Sequence, residues 1–310
     1  MKLLAVLRTC CLLLLLCLCS GCYSSAVQQS GYIDFNEVER PQDFAVHRDT
    51  KALRVAIASV LLPQENIMQY RAIADYLGKE LQRPVILLQR RSYAEIALLL
   101  LNGGADLAFF SSGGYANYSG MEDITLLASQ QRMGEPWYQG YIIVHRDSPI
   151  QSIEDLRGRT VAFTDPLSYS GHAFLEYELF QRGETPENFF DHYIYTYSHD
   201  SSFRAVVNHV VDAAPVSRLV YDRARERQPD LAAAVRIIAV SPRAGTAPVV
   251  AGKSLPPRQQ EEIRRLLLIM HESPEMQAPL ESLSIDRFVP PQPELFTPVR
   301  EILRMKRGAL

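Results

Sequence analysis

The run Asp165-Pro-Leu-Ser-Tyr-Ser-Gly-His172 puts two hydroxyls and a glycine where an apolar strand, residues 160–164, gives way to a helical pattern through Ala173, Phe174, Tyr177, Leu179 and Phe180. The first N–H groups of a helix have no internal partner and carry partial positive charge. Serine hydroxyls added to them make a pocket for a small oxyanion. The competing reading is an ordinary cap, with Ser170 capping its own helix. Other candidate chemistry is weaker. Ser198-His199-Asp200-Ser201 holds the residue types of a hydrolase triad, but adjacent residues on one turn cannot relay a proton. Gly252-Lys-Ser254 resembles the end of a phosphate-binding loop, yet Ala247 stands where the first glycine is needed and Pro256-Pro257 follows instead of a helix. No Gly-x-Ser-x-Gly elbow occurs. All five cysteines, at positions 10, 11, 17, 19 and 22, lie at the N-terminus, so the body has no thiol nucleophile, disulfide or cysteine metal site. The seven histidines form no close metal-ligand pair. Binding of an anion without metal or cofactor is therefore the expected chemistry, with an enzyme the weakest reading.

The elements that must position these groups belong to a globular chain: 47% of residues are apolar and 22% charged. A net charge of −3 argues against a nucleic-acid surface. Residues 1–21 are expected to be a signal peptide. Lys2 and Arg8 give a basic start, and Cys10 to Cys19 is an apolar run too short to cross a bilayer. Cys19-Ser-Gly-Cys22 is similar to a bacterial lipoprotein cleavage site, with Cys22 the lipidated residue, although an aliphatic residue is usual where Cys19 stands. Residues 22–50 read as a tether and irregular lead-in.

From there strands and helices alternate: strand 53–59, helix 67–81, strand 84–88, helix 93–101, strand 106–110. The last runs into Ser111-Ser-Gly-Gly-Tyr115, a second strand-to-helix turn rich in serine and glycine. The pattern recurs with strand 161–163, helix 173–182, strand 192–197, helix 203–210 and strand 212–216. Ala105-Asp-Leu-Ala-Phe-Phe-Ser111 and Val211-Asp-Ala-Ala-Pro-Val-Ser217 occupy matching places, and Asp106 and Asp212 read as turn residues before a strand. Two β-α-β-α-β series imply an α/β fold of two similar lobes. Residues 51–143 with 246–310 form lobe 1, and 144–245 form lobe 2. Crossings near Val144 and Ser241 make a two-crossover hinge, and hinged lobes close on a ligand.

At this point the chain resembles the periplasmic phosphonate-, phosphite- and phosphate-binding proteins of ABC importers, within the type II solute-binding fold. The resemblance runs from about Arg54 to Val289. That family has Asp-Pro-x-Ser-Thr-Ser-Gly where this chain has residues 165–171, and its hydroxyls and N–H groups hold phosphoryl oxygens. The resemblance thus implies ligand contacts from Ser168, Tyr169, Ser170 and Gly171, and from His199 and Asp200 of Ser198-His199-Asp200. Tyr93 matches a tyrosine that reaches the ligand from the first lobe, and Phe110, Ser111 and Tyr115 are candidates for the opposite wall. Tyr169 in place of threonine is expected to add a ring to the pocket. Relatives that take an aminoalkyl phosphonate hold its ammonium with acids; near those places stand Leu219 and Ala247. A buried ammonium without a carboxylate is poorly stabilised, so a smaller oxyanion or an apolar-tailed phosphonate is expected. The implied partners are a small oxyanion and a membrane permease, for a lipid-anchored monomer in the periplasm or envelope. An envelope sensor feeding a receptor or kinase is the alternative.

Overall fold

The computed structural model describes residues 52–58, 63–118 and 124–308; the expected signal peptide, tether and Cys22 lie outside them. In chain order, β1 (Leu53–Ala58), α1 (Pro63–Glu80), β2 (Val85–Arg90), α2 (Tyr93–Leu101), β3 (Leu107–Phe109), α3 (Ser112–Tyr118) and β4 (Ile124–Gln131) begin one lobe. The short β5 (Trp137–Tyr138) leads out of it. The second lobe holds β6 (Gly140–His145), β7 (Thr160–Phe163), α4 (Phe174–Phe180), α5 (Pro186–Phe189), β8 (His192–Tyr195), α6 (His199–Val207), β9 (Ala213–Ser217), α7 (Arg218–Arg227), α8 (Pro229–Ala233) and β10 (Val235–Val240). The chain returns through β11 (Ala244–Gly245) to β12 (Pro248–Gly252), α9 (Pro257–Ile269), α10 (Pro274–Ser282), β13 (Arg287–Val289) and α11 (Thr297–Gly308).

The first sheet has the order β13-β4-β12-β3-β1-β2 and the second β10-β6-β9-β7-β8. In both, a parallel trio joins a strand that runs antiparallel to it. Both faces of each sheet are covered by helices, which is why the central strands read as continuous apolar runs and not as alternation. In β1, Leu53, Val55 and Ile57 face Ile73 and Leu77 of α1, while Ala56 and Ala58 face Ile96 and Leu100 of α2. In the second lobe, Val161 and Phe163 of β7 meet Phe174 and Leu179 of α4, and Ala162 meets Phe203 and Val206 of α6. The expected pair of similar α/β lobes is present.

The likeness extends to hydrogen bonds. Asp106 Oδ2 accepts from the N–H of Arg54 at 2.9 Å, and Asp212 Oδ2 accepts from the N–H of Thr160 at 2.8 Å. Each aspartate precedes its strand and pins the start of the neighbouring parallel strand, 52 residues earlier in both lobes. The Asp106 carboxylate also meets the Arg54 guanidinium at 2.7 Å and the Ser254 hydroxyl at 2.9 Å. These bonds hold its pKa below the usual carboxylate range although burial pushes the other way. Both aspartates are more than turn residues: they set the register of a crossover that no hairpin can set.

Two expected boundaries shift. β6 lies wholly in the second sheet, its ladder to β9 running from Gly140↔Ser217 to Val144↔Ala213, so a boundary at Val144 would cut a strand. The crossing lies at β5, which pairs antiparallel with β11, Tyr138 opposite Ala244 and Trp137 opposite Gly245. The two connections thus form one ribbon. Arg243 lies over the Trp137 ring, 3.9 Å from its centroid. The last helix packs against α3 of the first lobe, near Ala116, and also reaches the second. Val299 and Ile302 of α11 are buried among Phe174, Leu175 and Leu179 of the second, because its apolar face fits the groove left beside α4.

Asp106→Asn is expected to lower unfolding stability by about 2–3 kcal/mol, since it leaves the Arg54 guanidinium without its carboxylate. Asp212→Asn, with no cation partner, is expected to cost only about 1 kcal/mol. Urea denaturation of the two variants measures the difference.

Candidate functional site

The parallel strands of both lobes end toward one gap, where open α/β sheets place their ligands. The gap is a cleft of about 650 Å3, its mouth included. Ser168, Ser170, His199, Ser217 and Leu219 line it from the second lobe, and Tyr70, Tyr93, Ser111, Ser112, Arg132 and Leu283 from the first. Tyr138, Thr246 and Ala247 lie at the connecting ribbon.

After β7 the chain makes a π-helical turn over Tyr169–Ala173 before α4 begins. Ser168, not Ser170, is the cap: its Oγ accepts from the Gly171 N–H at 3.0 Å. Ser170 is therefore released from capping. Its hydroxyl is buried on the cleft wall beside the Tyr138 phenol, with which it makes no well-formed hydrogen bond. An unmet buried hydroxyl costs on the order of 1–3 kcal/mol, so this group is poised for a ligand oxygen. Gly171 is required by close approach: a Cβ there would fall 2.4 Å from Thr164 Oγ1 and 2.9 Å from His199 Cε1.

His199 opens α6, with Ser198 as its cap. The helix starts four residues earlier than its apolar spacing suggests, because that cap recruits the polar turn. The Ser217 N–H donates to His199 Nδ1 at 3.1 Å, and Thr164 Oγ1 lies 3.1 Å from the same nitrogen. A nitrogen that accepts from an amide holds no proton, so the neutral ring carries its hydrogen on Nε2 as a donor. Burial lowers the pKa to about 4, which keeps the ring neutral.

The first lobe meets this turn directly. Asp165, 3% exposed, accepts from the Leu167 N–H at 2.8 Å and, across the gap, from the Tyr93 N–H at 3.0 Å. Ser111 Oγ donates to the Leu167 carbonyl at 3.1 Å, and Gly113 passes so close that a Cβ would lie 2.3 Å from that oxygen. Arg91 sits over the Tyr197 ring, 4.6 Å from its centroid. Burial pushes the Tyr93 phenol pKa well up, with the Asp165 charge adding to it; burial also raises Tyr70 and Tyr138. All three stay protonated donors.

Five of the ten expected protein contacts thus line the cleft: Tyr93, Ser111, Ser168, Ser170 and His199. The others support it from behind. The Tyr169 ring is fully buried in the second-lobe core, edge-on to Tyr138, and its hydroxyl donates to the Pro242 carbonyl at 2.9 Å. It adds no ring to the pocket; it ties the turn to the ribbon. Gly171 spends its N–H on the cap. Asp200 points to Arg204, 2.7 Å away on the next turn of α6. Phe110 packs edge-on against Tyr93, and Tyr115 turns to Phe296, 4.8 Å between centroids. Leu219 and Ala247 do line the cleft. Sequence reasoning missed Tyr70, Arg132, Tyr138 and Thr246, which come from a helix, a hairpin end and the ribbon and share no motif. The repeat of Ser111 and Ser217 at matching places was a signal for Ser217.

Because His199 resists a proton that the unfolded chain accepts, stability is full above about pH 6.5 and is lost as pH falls toward 4, by up to roughly 3 kcal/mol. Chemical denaturation of the unliganded protein over that window measures the slope, and His199→Gln is expected to flatten it relative to the parent.

The family model described as "ABC transporter, phosphonate, periplasmic substrate-binding protein" matches residues 55–296. The phosphonates-binding periplasmic protein of Escherichia coli (strain K12) is 26% identical over 266 residues, 83% of this chain and 77% of that one. The phosphate-import protein PhnD of Mycolicibacterium smegmatis is 30% identical over 171 residues, 51% of this chain and 53% of that one. The fold is shared with a binding protein of a Pseudomonas aeruginosa ABC phosphonate transporter, at a TM-score of 0.75 and 22% identity over 83% of this chain and 86% of that one. It is also shared with a Prochlorococcus marinus protein solved with methylphosphonate, at a TM-score of 0.74 and 17% identity over 83% of this chain and 99% of that one. With an apolar-cored, two-lobed frame, a cleft at its strand ends and a family match over most of its length, this chain belongs to the periplasmic substrate-binding proteins of phosphonate ABC transporters.

Proposed function

We propose that the cleft captures the phosphoryl-type head of a phosphonate, phosphite or phosphate and presents it to a membrane permease. Ser168, Ser170 and His199 hold the oxygens from the second lobe, and Tyr93 and Ser111 from the first. The two lobes swing about the β5–β11 ribbon, closing on the guest and opening to release it. The observation that carries this reading is the Ser170 hydroxyl: buried, on the cleft wall and without a well-formed hydrogen bond, with the Tyr138 phenol beside it. The donors around it are neutral, and in a desolvated gap neutral donors hold an anion firmly. The protein acts as an exported monomer tethered to the membrane by lipid on Cys22.

A thermal-shift panel of phosphate, phosphite, methylphosphonate, aminoethylphosphonate, sulfate and alkylsulfonates tests the head group, because a guest bound only by the folded state raises Tm. Phosphoryl compounds are expected to give the shift and sulfur oxyanions little. Ser170→Ala is expected to abolish the shift while leaving the unliganded Tm unchanged or slightly raised. Ser168→Ala is expected to lower both, since the helix cap is lost at a cost of about 1 kcal/mol. A Ser170→Ala protein that keeps the full shift overturns the site assignment. Metabolic labelling with a radioactive fatty acid checks the anchor: the parent is expected to carry label in the membrane fraction, and Cys22→Ala to lose both label and membrane attachment.

A further inference from the structure

We infer that the guest carries a second acidic group, recognised by Arg132, so that the preferred class is a short phosphonate or phosphate bearing a carboxylate. This rests on the phosphoryl-head reading above. Arg132 follows β4 directly and lines the first-lobe wall with Tyr70 and Leu283, whereas Ser168, Ser170 and His199 line the wall opposite. It is the only cation among the lining residues, and no carboxylate is among them. Its bonds are all to neutral groups. It donates to the Leu283 carbonyl, to the Ser284 carbonyl at 2.9 Å and to Gln130 Oε1 from Nε at 3.1 Å and also from Nη2.

These bonds fix the plane of the guanidinium but do not neutralise it. Among the described residues no carboxylate stands within ion-pairing distance of Arg132. Asp286 acts on it only at longer range, and its Oδ2 accepts from the Gly134 N–H at 2.7 Å. Burial works against the charged form and outweighs the support of Tyr70 and Asp286. A partly buried guanidinium held in place by carbonyls, with one Nη2 N–H left over and no counter-charge, offers an anionic group a single charge-assisted hydrogen bond. Gln130 turns its Oε1 to Arg132, and its buried Nε2 has no hydrogen-bond partner. The backbone oxygen of Gln130 accepts from Thr246, another lining residue. An ammonium tail would face Arg132 with no acid to offset it; a purely apolar tail would leave the charge uncompensated.

Isothermal titration of 3-phosphonopropionate against propylphosphonate and 2-aminoethylphosphonate, compounds of similar reach, tests the assignment. The parent is expected to bind the phosphonocarboxylate at least about tenfold tighter than either other compound. Arg132→Gln is expected to shrink the ratio of 3-phosphonopropionate to propylphosphonate affinity, both measured on the same variant, to less than about threefold, so that a general loss of order in the cleft wall cancels. Arg132→Lys, which keeps the charge but loses the planar hold on Gln130, Leu283 and Ser284, is expected to retain part of the gap and serves if the glutamine variant folds poorly. Equal or tighter binding of propylphosphonate or 2-aminoethylphosphonate by the parent overturns the second-acid assignment and leaves the phosphoryl-head reading standing. A parent that binds none of the three, nor phosphate or methylphosphonate, overturns both.

Discussion

The structure depends on one buried carboxylate shared between the lobes. Asp165 takes an amide hydrogen from its own loop, at Leu167, and another from the start of α2, at Tyr93. Burial raises its pKa and the two amides oppose that rise. Such an arrangement stands only if both amides are held rigidly, because an under-bonded buried carboxylate would take a proton. Rigidity comes from the capping box of α2, where Ser92 and Glu95 bond reciprocally, and from the Ser168 cap of the opposing turn. The Ser111 bond and the bare Cα of Gly113 let the walls approach through backbone and small groups there, with Arg91 over Tyr197 and Leu167 against the first-lobe core beside them. Larger side chains at these points would hold the walls apart.

The second constraint is internal symmetry. Asp106 and Asp212 do the same work in each sheet, joining the first residues of two parallel strands that are not hairpin neighbours. Parallel pairs lack a tight turn to set register, so a polar anchor at the strand start is needed. The repeated anchor aligns the strand ends of both lobes. As a result each lobe delivers a serine-bearing strand-to-helix turn to a common gap, Ser111 from one and Ser217 from the other. The ribbon of β5 and β11 then keeps those two ends facing.

The cleft separates its electrostatics into two regions. Around the Ser168 turn every donor is neutral: two hydroxyls, an imidazole kept uncharged by burial, and a phenol whose pKa is driven up. Across the gap stands one guanidinium. Neutral donors in a low-dielectric site hold an anion without a salt bridge that would resist release. Charge at a distance instead favours one guest over another.

Much of this was legible in the chain. The apolar runs and helical spacings located the main strands and helices of both lobes, because sheets covered on both faces need continuous apolar strands; the short β5, β11, β13, α5 and α8 gave no such signal. The turn at residues 165–172 could be read because capping chemistry is local: it needs particular residues within a few positions of one another. What sequence could not decide was which side of each turn faces the gap. Ser168 took the cap and Ser170 the wall, and Tyr169 turned inward to Pro242, because a π-helical turn changes the direction of each side chain. Nor could it gather Arg132, Tyr70, Tyr138 and Thr246 or make α11 bridge Ala116 and Phe174, because those contacts join residues far apart in sequence. Local hydrogen bonding and hydrophobic period are written along the chain; the composition of a cleft wall is set only when separate elements pack.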